Sequence, residues 1–223
     1  MEDIPVIAVD GPSASGKGTV AQAVARALGF HFLDSGSLYR LVALSAMRRG
    51  ISWSDEEGLG KIASNLEVEF RGAEIFLEKQ DVTEDIRSEE CSFGASKVGG
   101  VPGVRRALLH RQRAFRRAPG LVADGRDMGT VVFPEASLKV FLTASPEERA
   151  ERRHKQLIQK GITVNICALL KDLQERDRRD MARSDSPLKP SPDAHFLDTT
   201  ALSAKAATDQ VLAWFRGSKG SKL

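Results

Sequence analysis

Little in this chain suits redox or metal chemistry. Its 223 residues include two cysteines and four histidines. Cys91 and Cys167 stand alone, with no CxxC pair and no histidine at ligand spacing, so neither a disulfide framework nor a zinc ribbon is encoded. Two isolated thiols fit a reducing compartment. His31, His110, His154 and His195 are scattered and form no ligand pattern. No apolar run approaches the ~20 residues that a membrane span requires, and the acidic start Met1-Glu2-Asp3 is not that of a secretory leader. The formal net charge is only +3, which gives no global attraction to nucleic acid. A guanine-reading Asn/Thr-Lys-x-Asp motif is also missing, which speaks against a GTPase switch. The closing Ser221-Lys222-Leu223 matches a peroxisomal address, but in a polar Gly/Ser/Lys tail a match of this length is expected by coincidence. The expectation is a cytoplasmic protein.

What the chain does contain is ordinary globular composition, 41% hydrophobic and 28% charged, long enough for one elaborated domain or two small ones. Its most informative stretch is Gly11-Pro12-Ser13-Ala14-Ser15-Gly16-Lys17-Gly18-Thr19. An apolar run over 4–9 precedes it, and a helical pattern over 17–28 follows it. Strand, glycine-rich turn and helix together form the context of a phosphate-binding P-loop. Gly11 and Gly16 permit backbone conformations that a Cβ opposes. The loop N–H groups and the helix N-terminus then face phosphate oxygens, and Lys17 adds a mobile charge for the β- and γ-phosphates. The usual Ser/Thr after the lysine is replaced by Gly18, with Thr19 one place later. A nucleoside triphosphate is the implied ligand.

Short apolar runs at 4–9, 31–33, 121–123, 138–142 and 195–197 alternate with helical patterns. This predicts an α/β fold: a five-stranded parallel sheet with helices on both faces. Ser145, Pro146 and Glu148 predict a capped helix running to about residue 160, ended by Gly161. The segments 66–70, 74–77 and 80–82 break the alternation and read as a small antiparallel sheet in an inserted subdomain over about 62–100. An inserted lobe of this kind suits closure over a second substrate.

Three further stretches carry candidate chemistry. Asp34-Ser35-Gly36-Ser37-Leu38-Tyr39-Arg40 follows the second strand at its carboxyl end, where α/β folds bind ligands, and its hydroxyls and arginine suit an anion. It also reads as a helix N-cap with a half-buried tyrosine. Asp124-Gly125-Arg126-Asp127-Met128-Gly129-Thr130 closes a buried strand. Its arginine can hold a phosphate in a bidentate grip and its carboxylates can accept from an exocyclic amine. Arg176, Asp180 and Arg183 share one face if the pattern from Glu175 onward is a single helix, although such a face is commonly solvated. Between these lies an apolar stripe, Val101, Val104, Leu108 and Phe115, crowded by Arg105, Arg106, Arg111, Arg113, Arg116 and Arg117. Without interleaved aromatics it is not expected to bind nucleic acid.

The P-loop ending Gly16-Lys17-Gly18-Thr19, the loop from Leu33 to Arg40, the Asp124–Thr130 stretch and Glu175-Arg176-Asp177 with Asp180 and Arg183 together resemble the bacterial-type cytidylate kinases, a family of nucleoside monophosphate kinases. Glycine after the P-loop lysine is normal in that family. The resemblance implies a monomer in which ATP with Mg2+ phosphorylates CMP and dCMP, with no nucleic-acid or membrane partner. It places ATP on residues 11–19, with Thr19 a candidate metal contact, and the CMP phosphate on Ser35, Arg40 and Arg126. Ser96, Arg105, Asp127 and Arg183 would read cytosine, Arg176 and Asp180 the sugar, with Tyr39 and Asp124 completing the site. Residues 149–166 would form a lid from which Arg149, Arg152 and Arg153 approach ATP, so that Lys17, Arg126, Arg152 and Arg153 stabilise the transferring phosphoryl group. On the residues alone, acceptors such as UMP, AMP or a hydroxyl-bearing metabolite stay open. The last of these would need a base such as Asp34 or Asp127.

Overall fold

The computed structural model describes residues 4–72 and 74–220, with side chains to residue 217. The tripeptide Ser221-Lys222-Leu223 lies outside the described residues. In chain order the elements are β1 (Val6–Asp10), α1 (Lys17–Leu28), β2 (His31–Asp34), α2 (Ser35–Arg48), α3 (Glu56–Ser64), β3 (Val68–Arg71), β4 (Glu74–Leu77), β5 (Gln80–Asp81), α4 (Glu89–Val98), α5 (Pro102–Arg113), β6 (Leu121–Gly125), β7 (Leu138–Thr143), α6 (Pro146–Gln159), α7 (Ile166–Met181), β8 (His195–Asp198) and α8 (Ala204–Gly220). A 3-10 turn at Asp85–Arg87 precedes α4, and a π turn at Met128–Val132 follows β6.

The chain divides into two compact units, Met1–Leu33 with Phe115–Leu223, and Asp34–Ala114. The first unit is built on a five-stranded parallel sheet of order β2-β6-β1-β7-β8. β1 is central and buried along its whole length, which is why it reads as a continuous apolar run. It pairs with β6 from Val6↔Leu121 to Asp10↔Gly125 and with β7 from Ile7↔Leu138 to Asp10↔Phe141. Ile7, Val9, Val122, Val140 and Leu142 pack with Val20, Ala21 and Val24 of α1 and with Val211 and Phe215 of α8. The chain places β2 and β6 on one side of β1, then β7 and β8 on the other. That reversal makes the carboxyl end of β1 the switch point of the sheet, where such folds hold ligands.

The second unit contains α2 to α5 and the three-stranded antiparallel sheet β3-β4-β5. Val68↔Leu77 and Phe76↔Asp81 fix its register. The expected insertion over 62–100 falls inside this unit, which reaches further in both directions, from Asp34 to Ala114. Its core, including Leu38, Leu41, Val42, Leu59, Val104 and Leu108, is almost wholly hidden from solvent.

Candidate functional site

At the carboxyl end of β1 the chain turns sharply through residues 11–16 into α1. Gly11 is required there, because a Cβ would collide with the carbonyl oxygen of Leu142 on β7. Gly16 (φ 91°) and Ala14 (φ 59°) both take left-handed conformations. Alternating handedness along such a loop gathers successive N–H groups into an anion-binding concavity. Ser15 and Lys17 are buried, and the Ser15 hydroxyl has no hydrogen-bond partner. Thr19 is exposed.

Lys17 Nζ donates to Pro12 O at 3.1 Å and lies 3.9 Å from Asp124 Oδ1 at the end of β6. A Cβ at Gly18 would come within 3.0 Å of Asp124 Oδ2, close enough that the carboxylate would have to shift slightly. Among the described residues no three His, Cys, Asp or Glu side chains converge on a metal site.

Arg126 follows β6. Its Nη2 donates to Ser13 Oγ at 2.8 Å and its Nε to Asp180 Oδ2 on α7 at 3.1 Å. Asp180 also receives Arg183 Nη2 at 2.5 Å. Burial by itself would raise the Asp180 carboxyl, but the guanidiniums of Arg126, Arg183 and Arg176 outweigh it and hold it below the usual carboxylate range. The structure changes one detail of the sequence reading: α7 ends at Met181, so Arg183 meets Asp180 from the turn after the helix rather than from its face. Asp127 is buried beside the π turn.

Sequence reasoning missed Asp10, the last residue of β1. Its oxygens accept from Met128 N and Gly129 N, each at 2.8 Å, and so tie the start of the P-loop to the turn bearing Arg126 and Asp127. Burial pushes its carboxyl up to about 7 despite those two donors, with Asp127 and Asp124 adding to the rise. A carboxylate directly before a P-loop was the available signal.

The arginines of α6 make contacts that the sequence did not indicate. Arg149 is buried, paired with Asp177 Oδ2 at 2.7 Å and bonded to Ser13 O at 3.2 Å. Arg152 donates to Ser15 O at 2.9 Å and to Thr199 O at 2.7 Å, with Glu148 on its Nε. Both thus donate to backbone carbonyls of the P-loop. Arg153 is half-buried, with Nη1 near Gln156. Thr199, directly after β8, was also missed, although its place at a strand's carboxyl end marks it.

In the second unit Asp34 caps α2 through Ser37 N, and Ser35 is buried in the first turn. Arg40 donates to Ile86 O at 2.8 Å and Ser92 Oγ at 3.1 Å. Arg105 lies over the Tyr39 ring, 5.6 Å from its centroid, and donates to Gly99 O at 3.0 Å. The buried hydroxyl of Ser96 has no partner. Arg111 likewise serves Leu66 O, which takes part of the arginine-rich stripe out of play as a charged surface. Ser35, Tyr39, Arg40, Ser96 and Arg105 therefore belong to one unit, and the P-loop, Asp124, Arg126, Asp127, Arg152, Arg153, Arg176, Asp180 and Arg183 to the other.

A family model described as cytidylate kinase matches residues 7–217. The cytidylate kinase of Chromobacterium violaceum is 60% identical, covering 98% of this chain and 98% of its own. That of Paraburkholderia phymatum is 58% identical over 95% of this chain and 93% of its own. Among solved structures, a gluconokinase from Sinorhizobium meliloti aligns with a TM-score of 0.48 at 19% identity, covering 97% of this chain and 94% of its own.

Proposed function

Because the chain belongs to the cytidylate kinase family, we propose that it transfers the γ-phosphoryl group of ATP to CMP, giving CDP and ADP. The observation that carries the site assignment is Arg126, whose single guanidinium reaches both Ser13 of the P-loop and Asp180 of α7. A charge in that place can follow the phosphoryl group between a donor on the loop and an acceptor beside α7.

The acceptor needs no general base. The second ionisation of a phosphate monoester lies near pH ~6, so the attacking oxygen of CMP is already anionic at neutral pH. The protein's work is to align two polyanions and to stabilise charge on the group in flight. Lys17 and the loop N–H groups hold the triphosphate, and Arg126 and Arg153 supply further positive charge. Asp124 and Thr19 would be the candidate contacts for Mg2+ bound with ATP, which would supply neutralisation of phosphate charge. Ser35 and Arg40 take the CMP phosphate, Ser96, Arg105, Asp127 and Arg183 the base, and Arg176 and Asp180 the sugar. The unpartnered Ser96 hydroxyl supports this reading, since a buried donor without a partner is costly unless a ligand supplies one. The protein acts as a monomer in the cytoplasm and accepts dCMP as well as CMP. Among the described residues no helix is long and apolar enough to cross a membrane.

The test is ADP formation from ATP and Mg2+ with CMP, dCMP, UMP, AMP and GMP offered separately. Turnover confined to CMP and dCMP is expected. Equal rates with UMP or AMP would refute the base assignment, and no turnover with any acceptor would refute the activity.

A further inference from the structure

The P-loop has two sides. Its N–H groups line the concavity, and two of its carbonyls, those of Ser13 and Ser15, are met by α6 and the turn after β8. Arg149 Nη1 donates to Ser13 O at 3.2 Å, while its Nε is held by Ala144 O at 3.1 Å and its Nη2 by Asp177. Arg152 Nη1 donates to Ser15 O at 2.9 Å and also lies 3.1 Å from Thr199 Oγ1. The Thr199 hydroxyl is 3.1 Å from Ser15 O and 2.9 Å from Thr143 O, its one proton serving either carbonyl. Thr199 N in turn donates to Thr143 O at 2.8 Å, which fixes the threonine to the end of β7.

A trans peptide is planar, with the C=O of one residue pointing opposite to the N–H of the next. Holding Ser13 O therefore sets the direction of the Ala14 N–H, and holding Ser15 O sets that of the Gly16 N–H. Those residues carry the left-handed angles of the loop, Ala14 at 59° and Gly16 at 91°. A loop that must hold an unfavourable conformation before ligand arrives needs such external anchoring. Guanidinium donors make the strongest anchors, since charge-assisted bonds exceed neutral ones.

We propose that Arg149, Arg152 and Thr199 are positioning residues for the triphosphate, fixing peptide planes 13–14 and 15–16 from their carbonyl side without touching ATP. This rests on the reading of the loop as the ATP site. It also reassigns Arg152, which family resemblance would put among the groups that meet the phosphates.

The experiment compares Arg152→Ala, Arg152→Lys and Thr199→Val with the parent protein. Binding of a non-hydrolysable ATP analogue with Mg2+ and of CMP is measured separately by calorimetry, beside kcat, both KM values and thermal melting. Thr199→Val removes one anchor of the Ser15 carbonyl without changing any charge. Loss of a buried anchoring bond is expected to weaken the ATP analogue about tenfold in Thr199→Val and Arg152→Ala. Affinity for CMP stays unchanged, kcat at saturating ATP stays within about threefold, a small barrier difference, and Arg152→Lys recovers part of the loss. A kcat collapse in Arg152→Ala with analogue affinity intact and Thr199→Val normal would make Arg152 a catalytic residue and overturn the proposal. Parallel loss of CMP and analogue binding with a lowered melting temperature would reduce the cluster to fold maintenance and overturn it equally. Unchanged analogue affinity in all three variants overturns the proposal alone. A parent protein that binds CMP but no analogue overturns the ATP reading itself.

Discussion

Ion pairs in the two units are made of the same residue types and do different work. At the carboxyl end of the parallel sheet, Arg149–Asp177 and Arg126–Asp180–Arg183 are hidden, the side chains exposed by between 2% and 18%. Around the three-stranded sheet, Arg71–Glu69, Arg49–Glu78 and Arg48–Asp85 are between 37% and 58% exposed. Water solvates the second group whether or not the pair forms, so each pair adds little. In the first group, removing one partner strands the other charge where water cannot reach it. Concentrating arginine at a buried sheet end is costly for a fold by itself. It suits a protein whose ligands bring several negative charges to the same place.

The largest expected effect breaks the buried side of that contrast. Arg149→Ala leaves Asp177 unpaired and frees Ser13 O, and denaturant unfolding is expected to lose about 3–5 kcal/mol of stability. A loss no greater than that of an exposed pair would erase the distinction between the regions. Next comes Arg126→Ala, which takes away the guanidinium shared by Ser13 and Asp180. Steady-state kinetics should show kcat reduced about a hundredfold or more, as for loss of one preorganised donor to a transition state. Near-normal turnover would remove Arg126 from the reaction.

The contrast was only partly visible in the sequence. All five parallel strands were legible as short apolar runs, buried nearly throughout in β1, β6 and β7 and only at Leu33 and Leu197 in the edge strands β2 and β8. Each nonetheless extends past its apolar run, to Asp10, Asp34, Gly125, Thr143 or Asp198. Backbone pairing continues through a residue whose side chain has stopped serving the core, and hydrophobic pattern does not register this. The P-loop and the Asp124–Thr130 stretch were legible because their chemistry is local. The partners of Arg149 and Arg152 were not, since a charged helix face looks the same in sequence whether it meets solvent or a carbonyl of a distant loop. The carbonyl partners of Arg105 and Arg111, Gly99 O and Leu66 O, were hidden in the same way.

The buried carboxylates sharpen the comparison further, because unit one contains two kinds. The folded state holds Asp180 below the ordinary value, so its contribution is present at neutral pH and is lost as pH falls through its depressed pKa. Asp10 is raised to about 7 from 3.8, so its contribution is full below 3.8 and is lost as pH rises toward 7. The difference in unfolding free energy between the parent and Asp10→Asn should therefore decline as pH rises through that window and level off above it. A flat difference would mean that Asp10 ionises normally and that its two backbone donors just offset burial.

The smallest effect belongs to the exposed pairs. Arg71 makes two hydrogen bonds to Glu69 and lies over the Phe76 ring at 4.5 Å. Both charged groups are nevertheless open to water, which competes for every donor and screens the pair. Arg71→Ala should leave thermal melting, CMP affinity and turnover within experimental scatter, in low and high salt alike. A melting temperature that drops measurably, and drops less at high salt, would show that geometry can make even a solvated pair count. The difference between the two units would then be one of degree, set by how well each arginine is held and not by whether water reaches it.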